Sequence, residues 1–189
     1  AGASRDFEHR FFTEARVAAR LSHPGIVVCH DFDKDAASGK LFIVFEYLQG
    51  RTLAERAAEG AMAWREALAV VVQVSRAIHR DLKPANIMLL APALGEAAAA
   101  RGDVAVKIMD FGVARMESPA PRLTRPGQAF GTPLYMSPEQ ALGEPTSAPS
   151  DIFSLGSVLC TLLLGRPWFD APSLPGIVDR VVHADPPRL

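Results

Sequence analysis

His79-Arg80-Asp81-Leu82-Lys83-Pro84-Ala85-Asn86 is the stretch on which the fold turns. It is short, polar and broken by proline, and it lies between a helical pattern and the apolar run Ile87 to Leu90, which reads as a strand. Further along come Asp110-Phe111-Gly112, then Gly131-Thr132-Pro133, then Ser137-Pro138-Glu139. A tripeptide such as Asp-Phe-Gly recurs by chance, so none of these is specific alone; the weight lies in all of them standing in this order.

Outward from that stretch, the preceding residues read as a helix from about Trp64 to Ala77 with apolar positions at Leu68, Val71, Val72 and Ile78, and as a shorter helix Thr52 to Ala58. Before them, two β-like runs, Ile26 to Cys29 and Leu41 to Tyr47, flank the polar turn around Asp33-Lys34-Asp35 and Ser38-Gly39, which predicts a hairpin. The 3,4 spacing of Phe7, Phe11, Glu14, Ala18 and Leu21 predicts a helix stopped by Ser22-His23-Pro24-Gly25. On the downstream side, the Ala-rich residues 91–102 read as an inserted loop or marginal helix before a second short strand, Val104 to Met109. Residues 116–128, rich in proline and arginine, read as a long exposed loop. The apolar run Ile152 to Leu164 is too short for a membrane span and reads as a core helix.

A formal charge of −1 leaves no global field to attract nucleic acid or an acidic membrane surface, so neither is expected as a partner of this segment. Cys29 and Cys160 lie far apart in apolar surroundings, with neither disulfide-framework nor zinc spacing, and the N-terminal residues carry no secretory pattern; a cytoplasmic chain is the expectation.

The ordered motifs, from His79 to Glu139, resemble the protein-kinase catalytic domain: catalytic loop, magnesium motif, substrate-side loop and the close of the activation segment. The resemblance runs from helix C to a helix G at Leu174 to His183. It implies an α+β, two-lobe fold with a partial N-lobe over residues 1–48 (helix C, two strands, the start of the hinge) and a mainly helical C-lobe over 49–189, cut after helix G. It implies transfer of the γ-phosphoryl group of ATP, with Mg²⁺, to serine or threonine of protein substrates. Composition and the Met136-Ser137-Pro138-Glu139-Gln140 run look bacterial.

Carried over residue by residue, Asp81 resembles the base that accepts the substrate hydroxyl proton; standing alone it would read as a solvated loop aspartate. Lys83 resembles the lysine that steadies the transferring phosphate and marks the Ser/Thr class. Asn86 and Asp110 are hard oxygen donors at the ends of adjacent strands, which suits Mg²⁺, with a turn role as the alternative for Asn86. Thr132 resembles the threonine that bridges Asp81 and Lys83. Phe45 resembles the gatekeeper, and Glu46 to Leu48 the hinge whose backbone pairs with adenine, where side-chain identity is expected to matter little. Met88 resembles the apolar floor under adenine, or is strand core. Arg80 resembles the arginine that meets an activation-loop phosphate, for which Thr124 is the first candidate and Ser118 the second, and a kinase–kinase pair would deliver that phosphate. Asp151 resembles the residue that holds the catalytic-loop backbone.

Glu14 is a carboxylate on an apolar helix face, expensive to bury without a cation. The resemblance makes it the helix-C glutamate, one of the residues that shape the nucleotide site, whose partner lysine, like the Gly-rich phosphate loop, belongs before Ala1; facing solvent is the other reading. No GxGxxG occurs in the chain. The usual arginine partner of Glu139 belongs to helices beyond the segment. Between Ala77 and His79 the family's further helix and turn are missing, and a helix from Trp64 to Ala77 spans only about 21 Å at about 1.5 Å per residue. These departures keep a degenerate domain acting as an interaction or scaffold module as the alternative function. A small-molecule phosphotransferase of similar fold is disfavoured because such enzymes lack the segment from Gly131 to Glu139.

Overall fold

The computed structural model describes residues 2–76, 82–90, 105–109 and 133–185, with side chains from Asp6 onward. Helix α1 (Gly2–Arg20) starts earlier than its periodicity predicts. It buries Phe11, Ala15 and Ala18, an i, i+4, i+7 stripe, whereas Leu21, expected on that stripe, lies beyond the helix end and is exposed. The helix rests on strand β1 (Cys29–Lys34) through the rings of Phe12 and Phe32, 6.2 Å apart, and the Glu8–Lys34 ion pair at 2.8 Å.

The predicted hairpin is present but shifted. β1 pairs antiparallel with β2 (Leu41–Phe45), Lys34 opposite Leu41, so Asp33 and Lys34 belong to the strand and the turn begins at Asp35. There the Ser38 amide donates to the Asp35 carboxylate at 2.7 Å, and Gly39 takes the left-handed φ of 69°. Ile26 and Val27, expected in the first strand, leave the hairpin altogether. Ile26 forms a parallel bridge to Ile108, and the Val27 amide donates to the Ile108 carbonyl at 3.0 Å. Hydrophobic runs reveal extended backbone and not its partner, which explains the error.

A second antiparallel sheet has the order β3-β4-β5, with β3 Gly50–Thr52, β4 Ile87–Leu90 and β5 Val106–Ile108. Its buried face carries Ile87, Leu89, Val106 and Ile108 into the main core. Thr52 ends β3 and caps helix α2 (Leu53–Ala58) in a reciprocal box with Glu55. Helix α3 (Trp64–Val74) buries Ala67, Val70 and Val74, while Leu68 and Val72 face outward at 45% and 44% exposure. The wrong stripe was therefore expected from sequence. Its apolar residues surround much of the helix, and the neighbouring helix α5 (Ala148–Leu164) packs against the side with small Ala67, joining Val158 and Leu162 to the same core. Ile78 lies outside the described residues.

α5 is the predicted core helix, extended one turn earlier. It buries the small hydroxyl residues Ser150, Ser154, Ser157 and Thr161 beside Val158 and Leu162, yet leaves Ile152 71% exposed. It ends at Gly165, where φ is 68° and a Cβ would sit 2.7 Å from the Ala61 amide nitrogen. Helix α4 (Pro138–Leu142) and helix α6 (Leu174–His183), the latter with the expected bounds, close a second cluster around stacked Phe153 and Phe169. Among the described residues no helix is long and apolar enough to cross a membrane. The architecture is α+β, as expected.

Candidate nucleotide and phosphoryl-transfer site

The residues after Asp81 are anchored by packing. Leu82 and Pro84 are buried, Leu82 in the main core, and a 3-10 turn Pro84–Asn86 delivers the chain into β4. Lys83 stands half-buried and extended at the head of that turn. Asn86 is 5% exposed; its amide donates to the Lys83 carbonyl at 2.9 Å, and its carbonyl accepts from the Met109 amide at 2.7 Å. With Ile87 opposite Ile108, that bond puts Asn86 beside Met109, and Asp110 follows in the chain. The expected adjacency of strand ends is therefore present up to Met109. Asp81, Asp110 and Thr132 lie outside the described residues, as do Arg80, Ser118 and Thr124.

Along β4, Ile87 and Leu89 point into the core, so Met88 is on the opposite face. It is not strand core. Its cross-strand neighbours are Thr52 and Lys107. Lys107 in turn forms a short ion pair with Glu46, at the start of the expected hinge. Glu46 and Val28 exchange two further bonds: the Val28 amide donates to Glu46 Oε1 at 2.7 Å, and the Glu46 amide to the Val28 carbonyl at 2.9 Å. Partial burial works against the charge on Glu46, but the Lys107 ammonium and the Val28 amide prevail and hold its carboxyl below the usual range. The Glu46 side chain thus has a definite job, contrary to the expectation that identity at the hinge matters little, and its own amide is committed inward. Leu48 is half-buried outside any strand, and its backbone has no partner among the described residues. Lys107 carries no motif, and its partner is 61 positions away, so sequence reasoning passed over it.

Glu14 is half-buried on α1. Desolvation raises its pKa and the field of Arg10 partly opposes that rise. Among the described residues no cation pairs with it, and no described contact joins it to Asn86 or Met88. Asp151 is half-buried in the first turn of α5.

At the end of the segment expected on the substrate side, Ser137 is fully buried as the N-cap of α4, in a reciprocal box with Gln140. Glu139 in the first turn accepts a short hydrogen bond from the Ser150 hydroxyl. That bond, with the residue's own amide, holds the Glu139 carboxyl below its usual range against a small opposing burial effect. With the usual arginine partner expected beyond the segment, a serine occupies this carboxylate and fixes α4 to α5. Because the folded-state pKa is depressed, the stabilisation is present above the unfolded pKa and is lost as pH falls through the folded one. Ser150→Ala is therefore expected to cost about 1.5–3 kcal/mol near neutral pH, the range for a bond to a charged group, and less at pH 3. Denaturant unfolding at the two pH values checks this; an equal loss at both would mean the bond is not charge-assisted.

A model of the family described as "Protein kinase domain" matches residues 2–184. Serine/threonine-protein kinase PknB of Mycobacterium leprae is 38% identical over 95% of this chain, which covers 29% of that protein. The proteins of the same name from Mycolicibacterium smegmatis and Mycobacterium tuberculosis H37Rv are each 38% identical over 95% of the chain and 29% of their length. The chain therefore spans under a third of the curated relatives it matches.

Proposed function

The chain belongs to the protein kinase domain family, and from that premise we propose that it forms most of the catalytic domain of a bacterial serine/threonine protein kinase. The observation that carries the proposal is the Asn86 carbonyl to Met109 amide bond at 2.7 Å, which sets the approaches to two oxygen ligands side by side at the edge of one sheet. The amide oxygen of Asn86 and the carboxylate of Asp110 are hard donors that fit Mg²⁺. When bound there, Mg²⁺ would neutralise charge on the nucleotide phosphates. In this reading Asp81 accepts the proton of the attacking hydroxyl, Lys83 steadies the transferring phosphoryl group, and Thr132 bridges the two. Adenine meets the backbone from Glu46 to Leu48 over Met88, and Glu14 orients the lysine of a preceding strand. Asp151 braces the catalytic loop. The domain border falls near Leu48, and the segment works on the cytoplasmic side.

The test uses a version of the protein that carries a glycine-rich loop and strand lysine ahead of Ala1. With MgATP and a basic protein substrate it should produce phosphoserine or phosphothreonine, and Thr124 should itself become phosphorylated, in a kinase–kinase pair, with one to three charge-assisted bonds forming around Arg80. Phosphotyrosine as the sole product would overturn the class. An unmodified Thr124, with full activity of Thr124→Ala, would remove that residue from the mechanism.

A further inference from the structure

We propose that Lys107, through its ion pair with Glu46, is a positioning residue that fixes the adenine side of the cleft relative to the metal side. β5 has neighbours on both edges. On one edge lies β4; on the other the connector after α1, where the Ile108 amide donates to the Gly25 carbonyl at 2.8 Å and Val27 donates back to Ile108 at 3.0 Å. The next residue of the connector, Val28, exchanges its two bonds with Glu46. So the exit from α1, the start of the hinge and the strand leading to Asp110 meet at one joint.

Nearly every tie in that joint is main chain, which substitution cannot remove. The exceptions both end on the Glu46 carboxylate, which accepts from the Val28 amide and pairs with Lys107; of these only the Lys107 tie joins two side chains. Ile108 is buried on one face of β5, and its neighbour Lys107 stands on the other face beside Met88, so the lysine reaches across the connector to the hinge. The two side chains are 16% and 24% exposed, less than the 43% and 35% of the Lys34–Glu8 pair, so solvent screens the former less. Without Lys107, Glu46 would hold a partly desolvated carboxylate on the Val28 amide alone, and the hinge would lose its side-chain tie to β5. A nucleotide that contacts both sides would then have to order the joint as it binds, weakening ground-state and transition-state binding alike.

The consequence for nucleotide rests on the phosphotransfer reading; the joint itself does not. In the extended protein, Lys107→Met should raise the KM for MgATP about three- to tenfold, the scale of one partly buried ion pair, with kcat changed less than about twofold. Lys107→Arg should restore the parent KM. Without nucleotide, amide exchange in peptides covering 25–29 and 45–48 should accelerate in Lys107→Met and not in Lys34→Met, which breaks the exposed pair. Unchanged exchange in those peptides, or unchanged KM in an active protein, would overturn the proposal. If the extended parent binds no MgATP, the phosphotransfer reading fails, and the exchange comparison still decides the joint.

Discussion

Asp81→Asn, in a protein that carries this chain behind a glycine-rich loop and strand lysine, is expected to lower kcat by about 10²–10⁴-fold, the range ascribed to a positioned general base. MgATP affinity should stay within a few-fold of the parent, because a proton acceptor acts in the transition state more than in ground-state binding. The flanking structure supports this split. Leu82 and Pro84 are buried and Asn86 is held by two backbone bonds, so exchanging one oxygen for nitrogen at position 81 leaves the packing on its C-terminal side untouched. Asp110→Ala should behave differently and weaken Mg²⁺-dependent nucleotide binding, because in the proposed reading it removes a metal donor. Steady-state kinetics with nucleotide-affinity measurements separate the two. A kcat for Asp81→Asn within a few-fold of the parent would deny it the role of base.

The 189-residue chain by itself is expected to transfer no phosphate and to bind MgATP weakly. The proposed adenine and Mg²⁺ contacts would remain available, but no glycine-rich loop lies within the chain to enclose the phosphates. Glu14 forms no ion pair among the described residues, and burial disfavours its charge more than the field of Arg10 favours it, which suits the expected role of awaiting a lysine from a preceding strand. In-line positioning accounts for about 7–11 kcal/mol of barrier lowering in well-oriented reactions, so losing half the phosphate clamp should cost many orders of magnitude in rate. The check is γ-phosphate transfer by the purified chain to a basic protein, with its Asp81→Asn form as background. Mg²⁺-dependent transfer clearly above that background would mean that the phosphates are held by residues other than those assigned here.

What the sequence determined by itself was the family, and with it the chemistry proposed above. The motifs from His79 to Glu139 are local strings whose order survives without coordinates, and the family match over residues 2–184 bears out the resemblance they carried. Local patterns also sufficed for α2 and for most of the core helix before Gly165, and the resemblance supplied α6, since capping and left-handed termini depend on residues a few positions apart. Tertiary structure alone decided the pairings between distant residues. Val27 joins Ile108 and leaves the hairpin; Ala67, Val70 and Val74 face inward while Leu68 and Val72 do not; Glu139 meets Ser150; and Glu46 meets Lys107. Each was illegible for one physical reason. Periodicity tells which residues share a face, but which face is buried, and which charge finds which partner, depends on elements that only folding brings alongside.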